Sequence, residues 1–151
     1  MTPSNEFFME IALEEAQKSF EKDEVPVGAI SVLNNKIIAR SHNLSINNND
    51  PSAHAEINVI RETCKSIKNY RCPGVRIFVT LEPCAMCYSA LVHSRVSEIV
   101  FGAYDFKTGV CGSCLDFSKN ISFNHKPIIN GGILEKKCSE ILKSFFYLKR
   151  N

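Results

Sequence analysis

Apolar residues recur at spacings of three and four through Phe8, Ile11, Ala12, Ala16 and Phe20. This period predicts an N-terminal helix, with Ser4 or Asn5 available to cap it. The pattern then changes. "VPVGAISVL" is a near-continuous apolar run and reads as a buried strand, Asn34 and Asn35 as a turn, and "KIIARSH" as the returning strand. The polar stretch "NLSINNNDPS" reads as a loop leading into a helix whose apolar stripe is Ala53, Ile57, Ile60, Cys64 and Ile67. "VRIFVTL" is a third strand, and Pro83 marks the start of another helix, "CAMCYSALVHS". "SEIVFGA" is a fourth strand and a short one follows near "KPIIN". Gly131 and Gly132 then precede a last amphipathic helix, with Leu134, Cys138, Ile141, Leu142, Phe145 and Leu148 on one face. A hairpin followed by alternating strands and helices predicts an α/β layered fold with a mixed sheet.

Composition narrows the class. At 151 residues the chain fits one domain, residues 1–151, able to bury about 70% of the surface its unfolded form exposes. No internal repeat or linker divides it. The net charge of +2 is too small to argue for nucleic acid by itself, though it allows a local basic patch. Glu6, Glu10, Glu14 and Glu15 interrupt the N-terminal segment, which argues against a signal peptide. No apolar run reaches the roughly 18 residues of a membrane helix. The expected setting is a reducing cytoplasm, where an odd count of seven cysteines does not suggest a disulfide framework.

Cys84 and Cys87 therefore point to metal or redox chemistry. They lie at i, i+3 at the start of a predicted helix, on one face, where the positive end of the helix favours thiolate. Upstream, His54 and Glu56 open another predicted helix. Two thiolates and one imidazole form the ligand set of a catalytic zinc that keeps one position open. Glu56, two residues beyond the histidine, can stand beside such a metal and carry protons for the water it activates. A thioredoxin-like pair would leave His54 and Glu56 without a role, and a structural zinc would require a fourth ligand. His-x-Glu followed by Pro-Cys-x-x-Cys is the established signature of zinc nucleobase deaminases.

With these motifs in place the chain resembles the bacterial tRNA-specific adenosine deaminases, within the cytidine-deaminase-like superfamily. "EVPVGAI", "DPSAHAEI", "VTLEPCAMC", "HSRVSEIVFGAYDFKTG" and "GGILEKKCSEILKSFFYLKR" follow the family order. The resemblance implies a three-layer α/β/α fold with a five-stranded mixed sheet, a homodimer and one zinc per subunit. The implied activity is hydrolysis of adenosine to inosine at the wobble position of an arginine tRNA anticodon stem-loop. It assigns His54, Cys84 and Cys87 to the metal, Glu56 to proton transfer, and Asn43, Asp105 and Lys107 to substrate. In the last helix, Lys143, Lys149 and Arg150 beside Phe145, Phe146 and Tyr147 suit phosphate contacts and base stacking, with Phe145 among the candidate substrate contacts. A deaminase of free guanine, cytosine or their nucleosides shares the metal motifs and stands as the alternative. Three features depart from the family pattern: Tyr88 and Ser89 where small residues are usual, a divergent 44–51 loop, and a second pair, "CGSC" (Cys111 and Cys114), expected to be free thiols.

Overall fold

The computed structural model describes residues 2–150. One five-stranded sheet runs in the order β2-β1-β3-β4-β5, comprising β1 (Gly28–Leu33), β2 (Lys36–His42), β3 (Arg76–Leu81), β4 (Glu98–Ala103) and β5 (Ile128–Asn130). β1 is antiparallel to both β2 and β3, whereas β3, β4 and β5 are parallel. Asn34 and Asn35 make the β1–β2 turn with φ of 52° and 63°, the left-handed pair that a two-residue hairpin loop requires.

Both sheet faces are apolar, and the strand period of two sorts their side chains into two cores. Ala29, Ile77, Val79, Ile99 and Phe101 face one side and meet Val59, Ile60, Leu91 and Val92 of α2 (Ala55–Ile67) and α3 (Ala85–His93). Ile30, Val32, Phe78 and Val100 face the other, against Phe8, Met9, Ala12 and Cys138 of α1 (Asn5–Glu21) and α5 (Glu135–Arg150). The result is the three-layer α/β/α arrangement expected from the sequence. α1 lies so close to β1 that a Cβ at Gly28 would stand 2.1 Å from the Ala12 carbonyl oxygen.

The helices differ from their sequence reading in instructive ways. Ser4 is the α1 cap and accepts from the Phe7 N–H at 3.1 Å. The buried face of α1 is rotated, however, and takes in Met9, Glu15 and Ser19 while Ile11 and Phe20 are half-buried. Burying Glu15 is tolerated because Lys18, Arg40 and His42 all contact its carboxylate, at 2.6, 3.0 and 3.0 Å. In α2, Thr63 is buried in place of Cys64; its hydroxyl donates to the Val59 carbonyl and pairs with Ser31 across the core. Ala53 is buried but precedes the helix, and a four-residue α4 (Phe117–Asn120), capped by Asp116, stands where the sequence suggested only loop. Leu148 is 60% exposed, because the apolar face of α5 runs past the end of the layer it packs on.

Burial raises the Glu15 pKa, but the hydrogen bonds from Lys18, His42 and Arg40 outweigh it and hold the group below 4.5. A depressed folded pKa adds stability that is present above the unfolded value and lost as the pH falls through the folded one. Urea titrations of Glu15→Gln should therefore show a shallower loss of stability than wild type below about pH 4.5. A wild-type stability independent of pH across that acid range would contradict this role.

Tyr88, at a position where the sequence left the packing open, is fully buried and stacks edge-on with Phe117 and obliquely with Phe123. It thereby joins α3 to the segment around α4. Its hydroxyl is buried without a hydrogen-bond partner among the described residues. Tyr88→Phe keeps the ring and removes the orphan polar atom, so thermal denaturation should show equal or higher stability, by up to about 1–2 kcal/mol. A loss above about 1 kcal/mol would mean that the hydroxyl is satisfied in solution.

Candidate metal centre and active site

Two helix starts converge at the C-terminal end of β3. His54 is the N-cap of α2 and Cys84 the N-cap of α3; neither uses its side chain for capping. Both side chains are instead free to turn towards each other, and Cys87, one turn into α3, joins them. His54 Nδ1 lies 3.7 Å from Cys84 Sγ and 3.5 Å from Cys87 Sγ. A tetrahedral zinc with bonds of about 2.1 Å to nitrogen and 2.3 Å to sulfur separates such atoms by about 3.6 Å. Among the described residues these three side chains alone bring their ligand atoms within 4.8 Å of one another. The donor set and its spacing fit zinc.

Electrostatics support the same reading. A hydrogen bond from Cys87, opposed by burial and aided by His54, lowers the Cys84 pKa to about 4. The Cys84 thiolate raises the His54 pKa against the effect of burial. The same thiolate, together with burial, pushes Cys87 up, so that without metal the two sulfurs share one proton. A divalent cation displaces that proton, because the ligand forms are thiolate and neutral imidazole.

Two of the three candidate ligands, His54 and Cys84, line a cavity of about 310 Å³ together with Val27, Asn43, Glu56, Asp105 and Thr108. Three buried carboxylates border it. Glu24 accepts from the Ile46 and Asn47 backbone N–H groups and from the Asn47 side chain. Glu82 accepts from the N–H groups of Asp105, Cys111 and Ser113 and from the Ser113 hydroxyl. Protein donors saturate Glu82 with four hydrogen bonds and occupy Glu24 with three. Glu56 is held by its own backbone N–H and the Cys87 thiol, and burial, reinforced by the Cys84 charge, raises its pKa to about 7. A carboxyl with that pKa can both take and give a proton near neutral pH.

The remaining expected residues divide. Asn43 follows β2 directly, and its backbone is fixed by the Val27 carbonyl and the Ser19 hydroxyl. Its side-chain oxygen accepts from Ser45 and one of its two amide hydrogens goes to the Val25 carbonyl, which leaves a second amide hydrogen for a ligand. Asp105 does not pair with the Lys107 ammonium. It accepts instead from the Lys107 and Thr108 N–H groups and the Thr108 hydroxyl, closing the turn that leaves Lys107 exposed.

Phe145 is the correction. It is buried in edge-on contact with Phe20, at 5.7 Å between centroids, with Lys149 over its ring. An amphipathic helix must bury one face, and Phe145 is on it; the exposed aromatics of α5 are Phe146 and Tyr147. In the second pair, the Cys111 N–H is spent on Glu82 and Cys114 is exposed. His125 Nε2 contacts the Val96 carbonyl oxygen, while Cys138 packs against Gly102.

Sequence reasoning missed Glu24 and Glu82. The available signal was an acid flanking each of two apolar motifs, in "EVPVG" and "TLEPC", where an unpaired charge would be costly.

Residues 2–103 match the cytidine and deoxycytidylate deaminase zinc-binding region. Over 142 residues the chain is 45% identical to a tRNA-specific adenosine deaminase of Bacillus subtilis, covering 94% of this chain and 88% of that one. It is 46% identical over 151 residues to the enzyme of the same name from Buchnera aphidicola, covering 99% and 93%. A structure solved in work on A-to-I editing by tRNA:A34 deaminases at the wobble position superposes with a TM-score of 0.87 at 44% identity, covering 89% of this chain and 98% of that one. A Cys₂His ligand set fit for zinc beside a buried glutamate, on this fold and at this identity, places the chain in the family of tRNA-specific adenosine deaminases.

Proposed function

We propose that this chain, as a single deaminase domain, converts adenosine to inosine at the wobble position of an arginine tRNA anticodon. The observation that carries the chemistry is Glu56 lining one cavity with His54 and Cys84, two members of the His54–Cys84–Cys87 cluster. Zinc held there supplies a Lewis acid that makes water nucleophilic at neutral pH. Glu56 takes a proton from the attacking water and delivers it to the purine ring nitrogen beside carbon six; it then carries the hydroxyl proton of the tetrahedral adduct to the amino group, which leaves as ammonia while the carbonyl forms. Asn43 offers its remaining amide hydrogen to the nucleoside. Thr108 and the Asp105 turn form the opposite wall, and Lys107 offers a cation to the phosphate backbone. The cavity takes one base, so the adenosine must be extruded, which costs least in an unstacked loop.

The described chain has no helix long and apolar enough to cross a membrane, and a tRNA substrate places the work in the cytoplasm. The working form in this reading is a homodimer. Steady-state assays of the zinc-loaded protein should give a kcat/KM for an arginine-tRNA stem-loop with wobble adenosine well above that for free adenosine, guanine or cytosine. Equal turnover of a free base would move the substrate to the alternative class while keeping the zinc chemistry.

A further inference from the structure

We propose that Glu24 and Glu82 are a pair of positioning residues: two carboxylates that line the cavity and fix two of the loops around it by gripping backbone donors. The inference rests on the function proposed above for its kinetic readout, but not for its geometric one. Glu24 is 0% and Glu82 2% exposed. Each lines the cavity and reaches into a loop distant in sequence. Glu24, just before β1, binds Ile46 and Asn47, which follow the cavity residue Ser45 and adjoin the loop that carries Asn43. Glu82, just after β3, binds Asp105, Cys111 and Ser113 on either side of the turn that presents Thr108.

The bonding pattern shows why a carboxylate is required at both places. Glu82 receives two donors on each oxygen, three of them backbone N–H groups at 2.9–3.2 Å and the fourth the Ser113 hydroxyl. Glutamine would turn an NH₂ group towards donors and lose at least one pair. Gly109 gives independent evidence of the fit, because a Cβ there would lie 2.4 Å from the Glu82 carboxyl carbon. The turn rests directly on the acid. Glu24 repeats the pattern with three donors from two consecutive residues. With four donors Glu82 has no capacity left for the substrate, and Glu24, with three, is spent mainly on its loop. Their effect is exerted through the loops, which are the surfaces that a nucleotide flanking the extruded base would meet.

Two measurements on zinc-loaded protein test this for Glu82→Gln, Glu24→Gln and Ser113→Ala, the last removing one donor, the Ser113 hydroxyl, without touching the acid. Hydrogen exchange should accelerate about tenfold or more, the loss expected for one charge-assisted bond, at residues 105–113 in the first and third variants and at 46–47 in the second. Zinc content should stay at the wild-type value. For the stem-loop substrate, KM should rise about tenfold with kcat changed less than about threefold, since the rims bind and Glu56 does the proton transfer. Unchanged exchange in the gripped loops would overturn the proposal whatever the activity. So would a loss of zinc and kcat with KM unaltered, which would make the acids mere supports of the metal site. A wild-type protein inactive on the stem-loop would instead sink the function, leaving the exchange result to decide the positioning role.

Discussion

Glu56→Gln should lower the deamination rate by about 10²–10⁴-fold, the range lost when a positioned general acid–base group is removed, while leaving zinc bound. The expectation follows from three particulars. Glu56 adjoins the metal ligands without belonging to them. It is the cavity carboxylate not saturated by loop donors. Burial holds its pKa near 7, so that it cycles between charged and neutral forms at small cost. Glutamine keeps the volume and a hydrogen bond but cannot move the proton, so KM for the stem-loop should change little. Single-turnover measurements with metal analysis check this. A variant retaining more than about a tenth of the wild-type rate would require another proton carrier.

Cys84→Ser should have the second large effect, through the metal itself. Zinc held by His54, Cys84 and Cys87 would join the starts of α2 and α3, and Cys84 is the candidate ligand whose thiolate form the site already favours. A hydroxyl in its place is a poor zinc ligand at neutral pH, and the variant should purify with well under one metal per chain and no measurable deamination. Ligand linkage sets the thermal consequence. With free zinc about a thousandfold above its dissociation constant, binding contributes about 4 kcal/mol. For a chain of this length that corresponds to about 8–16 °C in Tm. The wild type treated with a strong chelator should fall to the same Tm as the variant, and zinc should restore only the wild type. Equal Tm values with and without metal would mean that zinc does not bridge these helices.

Much of this was legible in the sequence, and the reason is locality. The strands could be read because both faces of the sheet are covered, so each is a compact apolar run such as "VRIFVTL". The metal ligands could be read because helix N-termini bring them into play within motifs of a few residues. What was hidden depends on partners far along the chain. Glu15 looks like a surface residue of α1 until Arg40 and His42 arrive from β2. Glu24 and Glu82 acquire their roles from donors about 22–31 residues away. The period of α5 put Phe145 and Leu148 on one face, but not which of them is covered: Phe145 is buried against Phe20 of another helix while Leu148 is exposed.

The most direct test of the account is position-resolved detection of inosine in an arginine tRNA incubated with the zinc-loaded protein, alongside Glu56→Gln. The account predicts a mass increase of about 1 Da, from replacing NH₂ by OH through hydrolysis, at the wobble nucleotide alone, present with the wild type and absent with the variant. Inosine at other adenosines, an unmodified tRNA, or equal conversion by the variant would contradict it.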